Sequence, residues 1–563
     1  MDEDSLSCEL LVVGAGAAGL TAAAVASSLG MSTVIAEQHE TVGGTTSLSG
    51  GTIWIPSNPI AARYGIQDSK GLGKEYMQSA LDATDKRESS APAIINAFLE
   101  SGPLMVAYLQ AAGFRWNTKP SKFPDYHPNL PGALVHGGRT LNPATFDAEL
   151  LGPWKKYLNM PKGSPQAAKF EDFRTITSPL ASAWDLLTFC WITACAVFRN
   201  LFSGCAVTMG CSLVAQLLYI CQRGGIVQLR TSTSLLELTT ENDRVVGAVL
   251  VCGDRRIRVR SRCGVLLAAA GFSRNERLRH QYLPKPTSAT WSLSRADADS
   301  GHALEAAMSI GAKTDLLQET WGIPTMKDPC TGQITSALFE LAKPHSIVID
   351  NSGTRFANES QPYGDFVRSM YAVEGATPAW LIIDRQYLLK YTLGSLKPWE
   401  PIEPAVRSGL LVEANSLEAL SQKLLLPKGR LVRTVERWNL MCQDGRDVDF
   451  ARGCDAYQQF IGDTRAKPNP AMGPINTAPF YAVRIYPGDA GTKGGLATDR
   501  CGRVQSRSGG AIDGLYAAGN VAASLFGQTS LGAGVTIGPA MTFAFVAVHC
   551  MFKSATGTHS PSS

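Results

Sequence analysis

Residues 9–37 read ELLVVGAGAAGLTAAAVASSLGMSTVIAE, and this stretch decides the fold. Residues 9–14 are apolar with little alternation, as expected of a central parallel strand buried on both faces. The run Gly16 to Leu29 is small and Ala-rich, which suits a helix packed closely on that strand. Residues 32–37 (STVIAE) supply the second strand of a βαβ unit. In the connecting turn Gly14 permits the tight bend, Gly16 lets the backbone approach a pyrophosphate, and Gly19 lets helix and strand close up. Ala17 and Ala18 open the helix, whose free N–H groups and positive dipole end favour phosphate. Glu37 stands 18 residues past Gly19, where an acid accepts the hydrogen bonds of a ribose. The expectation is an α/β chain with a Rossmann-like dinucleotide-binding domain.

The neighbouring text separates FAD from NAD. Gly43-Gly44-Thr45-Thr46 continues into Ser49-Gly50-Gly51, a second glycine-rich backbone path. Far downstream, Leu515 to Gly519-Asn520 reads as a short apolar strand ending in Gly-Asn. A strand returning from the far end of the chain suits a large two-ended cofactor, so FAD is expected. Further strands are expected at Val227–Leu229 and Arg244–Cys252, as a pair, and at Val265–Ala269. The Pro-rich stretch 120–131 reads as a loop. The dinucleotide domain is expected to be split (1–283 and 486–563) around an inserted α+β catalytic (cap) domain at 284–485.

The bulk numbers set limits. The chain has 563 residues, long enough for several domains, and 45% of them are hydrophobic. Lys and Arg total 52 against 48 Asp and Glu, a net charge of +4 that makes no case for nucleic acid. The 13 cysteines form no CxxC pair and no zinc-spaced cluster, so no metal is expected. The acidic opening Met-Asp-Glu-Asp lacks the pattern of a secretory signal, and an intracellular, cytoplasmic protein is expected. Two apolar runs, Trp184 to Phe198 and Leu201 to Cys221, are shorter or more polar than a membrane span. A buried helix pair is the first reading of 184–221, and a peripheral membrane contact that admits a greasy substrate is the second.

Several strings together resemble the fumarate reductase/succinate dehydrogenase flavoprotein superfamily, and within it the 3-ketosteroid Δ1-dehydrogenases and their Δ4 relatives. They are GAGAAGLTAA (14–23), GGTTSLSGGTIWIPSNP (43–59), PDYHPNLPG (124–132), LLAAAGFSRN (266–275), KPHSIVIDNSGTRFANESQPYGDF (343–366), YPGDAGTKGGLATD (486–499) and GLYAAGNVAAS followed by GAGVTIGPAMTFAF (514–545). The resemblance runs in order over nearly the whole chain and is poorest at 150–205. It implies FAD held without a covalent bond, since Thr45 and Thr46 stand where covalent members carry a His. It adds Ala270, Gly534 and Val535 to the cofactor contacts.

The resembling enzymes remove a proton beside a ring ketone and a hydride from the next carbon. Such chemistry needs a base, donors for the ketone oxygen and a dry, rigid cavity. The resemblance gives the base role to Tyr363 and the assisting role to Tyr126. At the ketone it implies a Tyr and, four residues on, a Gly whose N–H faces the oxygen. Gly534 is kept, but Ser530 replaces the Tyr, a shorter donor that would suit a substrate bound differently or a bulkier tetracycle such as a triterpenoid. Phe123, Tyr126, Tyr363 and Trp54 are expected to line an apolar cavity for a hydrophobic tetracyclic substrate. Alternatives are a Δ4-type desaturase or ene-reductase, a fumarate-reductase-like enzyme on a small dicarboxylate, and a redox-dead carrier. The dicarboxylate reading needs clustered Arg and His, which the loop 491–495 lacks. The electron acceptor is left unknown.

Overall fold

The computed structural model describes residues 4–84, 92–160, 172–202 and 204–557. Strand Asp4–Val13 lies at the centre of an eight-stranded sheet. It runs parallel to Thr33–Ala36 on one side and to Arg255–Leu267 on the other. Val227–Arg230 extends the sheet beyond Thr33–Ala36, and Ala511–Ala517 extends it beyond Arg255–Leu267, both in parallel. The expected α/β fold with a dinucleotide-binding sheet is therefore present, and the last strand does return from the far end of the chain.

Successive residues of the central strand point to opposite faces. Leu10 and Val12 join the core under the helices Ala17–Ser28, Met209–Gly224 and Ile537–Thr556, while Leu11 and Val13 join the core on the other face. Gly19 is required by the first of these contacts, because a Cβ there would sit 1.9 Å from the Gly14 carbonyl oxygen.

Two expectations are corrected. Val227–Arg230 and Arg244–Cys252 do not pair with each other. The second forms an antiparallel hairpin with Ser234–Glu241 and pairs with Arg255–Leu267, whose last residues are the expected strand at 265. The apolar stretch 184–221 is not a buried pair. Met209–Gly224 is buried almost throughout, but Ala183–Phe202 lies on the surface with Trp184 at 67% and Trp191 at 70% exposure. Two other helices, Pro92–Ala111 and Ile537–Thr556, are long and apolar enough to cross a membrane, yet both contribute side chains to the main core.

A second, antiparallel sheet is built from Ile334–Ser336, Thr320–Lys327, Phe480–Thr492, Ala379–Asp384 and Ser346–Ile349, with Val412–Ala414 beside Phe480–Thr492. Strand Phe480–Thr492 runs across residue 485 and brings its last residue to the segment that follows strand Arg255–Leu267, where Thr492 Oγ1 accepts from the Phe272 N–H at 3.4 Å.

Candidate active site

The glycine turn is built as a cradle. Gly14 has φ +101°, and a Cβ there would lie 2.5 Å from the Ala268 carbonyl oxygen. Gly16 is the N-cap of helix Ala17–Ser28, and the place of its missing side chain is open, with Thr46 Oγ1 nearest at 3.8 Å. A phosphate fits that opening, facing the N–H groups of the helix's first turn. Thr46 Oγ1 accepts one of them, from Ala17, at 3.3 Å. Glu37 is buried, and its carboxylate accepts from the Ala15 N–H at 2.8 Å and the His39 N–H at 3.0 Å. Burial pushes its pKa up, against those two hydrogen bonds.

The other expected cofactor residues converge on this cradle. Gly43 donates its N–H to the Ala15 carbonyl at 2.8 Å, and Gly44 opens the short helix Gly44–Leu48. Thr45 Oγ1 accepts from the Arg295 N–H at 3.1 Å, a contact the sequence did not announce. Ser49 and Gly51 turn the path past Gly210, whose N–H donates to the Ser49 carbonyl at 3.0 Å, with Gly50 between them. Ala270 follows the strand end with φ +58°, an uncommon conformation for a residue with a Cβ. A Cβ on Gly519 would lie 3.5 Å from Ala18 Cβ, so this glycine abuts the start of the first helix. Gly519, Asn520 and Val535 share a cavity of about 220 Å³ with Trp321, Lys493 and Thr536, the N-cap of helix Ile537–Thr556.

The tyrosines meet at the opposite end. Tyr126 donates its hydroxyl to the Tyr363 hydroxyl at 3.2 Å, with ring centroids 5.3 Å apart. Phe123, Tyr457 and Phe460 complete an aromatic cluster around them. Trp54 is not part of it. That ring packs on Tyr76, Phe98 and Phe526 in the main core, and its Nε1 donates to Asp125 at 2.8 Å.

Two separate frames fix the pair. The Tyr126 loop is held by Arg139, whose guanidinium bridges Asp125 and Asp68 at 2.7 Å each. The Tyr126 N–H and the Tyr76 hydroxyl both donate to the Leu531 carbonyl, at 2.9 and 2.8 Å, which locks that loop against residues 529–534. His127 adds a contact of 3.1 Å between Nε2 and the Ser530 carbonyl. Tyr363 is the first residue of helix Tyr363–Ala372. The approach to it is braced by Arg355, which reaches Glu359 at 2.7 Å and Asp447 at 2.9 Å, all three buried.

Burial pushes the Tyr363 phenol above its ordinary pKa, against the lowering effect of the Tyr126 hydrogen bond. Tyr126 is pushed up further, by burial and then by the Tyr363 and Tyr457 phenols. Tyr457 was not singled out by sequence, which offered no signal for it beyond being one more aromatic. Its ring centroid lies 5.0 Å from that of Tyr126, and its hydroxyl is buried without a partner among the described residues. Such a donor is free to pair with a bound group.

Ser530 is buried, 3.5 Å from where a Cβ on Gly364 would stand, so it faces the start of the Tyr363 helix. Gly534 has φ +100°, and a Cβ there would strike Ile53 at 2.6 Å. Its carbonyl accepts from the Trp54 N–H at 3.2 Å, whereas among the described residues its own N–H has no acceptor. No group of three or more metal-binding side chains occurs among the described residues.

Comparisons with known proteins bear on the family and the fold. The family model for an FAD binding domain matches residues 9–537. The 3-oxosteroid 1-dehydrogenase of Mycolicibacterium smegmatis is 36% identical over 96% of each chain. The 4-oxocyclohexanecarboxylate 2-dehydrogenase of Sinomonas cyclohexanicum is 33% identical over 98% of this chain and 93% of its own. The crystal structure of 3-ketosteroid Δ1-dehydrogenase from Sterolibacterium denitrificans in complex with 1,4-androstadiene-3,17-dione superposes with a TM-score of 0.90 at 34% identity, covering 97% of this chain and 100% of its own. The chain belongs to this FAD-binding-domain family and, within it, to the 3-oxosteroid 1-dehydrogenase-like flavoproteins.

Proposed function

We propose that the protein is an FAD-dependent dehydrogenase that introduces a C=C bond beside the ring ketone of a 3-ketosteroid or a related triterpenoid. The observation that carries this reading is the Tyr126–Tyr363 hydroxyl pair at 3.2 Å, inside an aromatic cluster that adjoins residues 530–534. Relatives named for steroid and for cyclohexane ketones share the ring ketone as the common reacting unit.

Tyr363, as the phenolate, takes the proton from the carbon beside the ketone and becomes a neutral phenol, and Tyr126 stabilises that phenolate beforehand by donating to its oxygen. The unengaged Gly534 N–H and the Ser530 hydroxyl receive the negative charge that develops on the ketone oxygen. Bound FAD supplies the acceptor for the hydride that leaves the next carbon. Phe123, Tyr457 and Phe460 exclude water, so these hydrogen bonds act in a low-dielectric medium. Serine at 530 leaves more room than a phenol would, which favours a substrate larger there than a standard 3-ketosteroid.

The FAD is read as noncovalent, because Thr45 and Thr46 put hydroxyls, not a histidine ring, at the glycine path. The division into FAD-binding parts 1–283 and 486–563 and a substrate domain 284–485 is supported by the two sheets, the second of which is built from strands within 320–492. An intracellular location is supported by 13 cysteines that all remain free thiols. We also infer that Ala183–Phe202 rests on a lipid surface. Trp184, Leu187, Trp191 and Phe198 are exposed along it at helical spacing. It follows helix Phe173–Ile176, whose Arg174 lies over Phe460 at the edge of the aromatic cluster. Co-sedimentation with phosphatidylcholine vesicles that is unchanged by Trp184→Ser/Trp191→Ser would remove this contact.

The main reading is tested with the purified holoenzyme, an artificial electron acceptor and a panel of 3-keto tetracycles, the products being identified by mass spectrometry and NMR. A product two hydrogens lighter at the ring beside the ketone is expected. Turnover of succinate or fumarate, with none of any ring ketone, overturns it.

A further inference from the structure

Lys493 is a buried charge that lines the cofactor cavity. It follows strand Phe480–Thr492 and is 2% exposed. Its Nζ donates to the carbonyls of Gln528 at 2.7 Å and Thr529 at 2.6 Å, and lies 4.6 Å from the centre of the Trp321 ring. Trp321 in turn donates its Nε1 to Asn520 Oδ1 at 3.1 Å. Lys493, Trp321 and Asn520 line the same cavity as Val535 and Thr536. Among the described residues no carboxylate comes within ion-pairing distance of Lys493.

A buried ammonium is costly unless an opposite charge accompanies it. Carbonyl dipoles and an aromatic face compensate only part of that cost. Glu319 and Asp365 act on Lys493 only from beyond ion-pairing distance, so what fills the cavity can supply a closer counter-charge, and FAD gains negative charge on its isoalloxazine when reduced.

We propose that Lys493 is a positioning residue that tunes the flavin: its ammonium is the built-in counter-charge of the cofactor cavity and favours the reduced form, while its hydrogen bonds fix the Gln528–Thr529 segment that leads into Ser530. The proposal rests on FAD occupying this cavity and is independent of the substrate. Burial holds the Lys493 amine down to about 7, which agrees with a site that waits for an anion.

The test is the midpoint potential of the holoenzyme, measured without substrate by dye-equilibrated reduction. Lys493→Met, which keeps length and removes charge, is expected to retain FAD. The reduced-to-oxidised ratio at a fixed potential is expected to fall at least tenfold, about 30 mV for a two-electron couple. Lys493→Arg is expected to stay within threefold of wild type. An unchanged potential in FAD-loaded Lys493→Met overturns the proposal. The wild-type enzyme decides independently if that variant does not fold. Its bound FAD should have a higher midpoint than free FAD in the same cell, and an equal or lower one overturns the proposal. Loss of steroid turnover alone, with these potentials as expected, would count against the substrate reading and not against Lys493.

Discussion

The glycine cradle and the tyrosine cluster hold the two ends of one site by opposite means. In the cradle the turn itself is local: Gly14, Gly16 and Gly19 lie within six residues, and Glu37 closes the loop through the Ala15 N–H. In the cluster, the decisive hydrogen bond joins residues 237 positions apart. The cradle depends on what side chains are missing, the cluster on side chains that distant frames bring together. Substitutions should therefore fail differently at the two ends, in cofactor content at one and in chemistry at the other.

The largest effect should come from Tyr363→Phe. Removing a general base lowers kcat by about 10²–10⁴-fold. FAD content, read from the visible spectrum, should stay near one per chain because the cradle is untouched. With burial holding the Tyr363 pKa above its ordinary value, the fraction of phenolate rises with pH. In wild type, kcat/KM should climb up to about pH 10 or beyond. A plateau near neutrality would assign the base to another group.

Arg355→Ala attacks the frame of the cluster and not its chemistry. It leaves Glu359 and Asp447 buried without their guanidinium, and such a break destabilises by about 3–5 kcal/mol. Both carboxylates are held below their ordinary pKa despite burial, by Arg355 together with backbone hydrogen bonds and, for Glu359, Arg452. A depressed folded pKa contributes stability above the unfolded value, near 4, and that contribution is lost as pH falls through the folded one. The gap between wild type and variant in denaturant titrations should accordingly narrow in acid.

Gly19→Ala tests the cradle. A methyl placed 1.9 Å from the Gly14 carbonyl oxygen must push helix Ala17–Ser28 off the strand. Overpacking of this kind costs about 1–3 kcal/mol. FAD content should fall while the Tyr126–Tyr363 pair survives, and a fully loaded but inactive variant would contradict the separation of the two ends. The smallest effect is expected for Tyr457→Phe. Deleting an unpartnered buried hydroxyl should leave thermal stability unchanged or raise it by up to about 1 kcal/mol. A lowered kcat at unchanged stability would mark Tyr457 as a donor to bound substrate.

The apolar stretch 184–221 shows where patterning runs out. Its two halves have similar composition, yet Met209–Gly224 is enclosed between the first helix and the main core while Ala183–Phe202 is bared on the surface. Apolar periodicity states that a face must be covered and is silent about what covers it. Trp54 was misassigned for the same reason, since an aromatic near a motif can serve the core as readily as a cavity.

Sequence by itself determined the cofactor fold, the βαβ unit, the glycine cradle with Glu37 and the returning strand at Ala511–Ala517. These follow from short-range sterics, hydrogen-bond demand and hydrophobic period, all of which act within one or two elements. Only the tertiary structure decided the company each distant group keeps. It set Tyr126 against Tyr363 and, among the described residues, left the Tyr457 hydroxyl and the Gly534 N–H without partners and Lys493 without a carboxylate at ion-pairing distance. Those features depend on contacts between segments whose separation along the chain encodes no local preference.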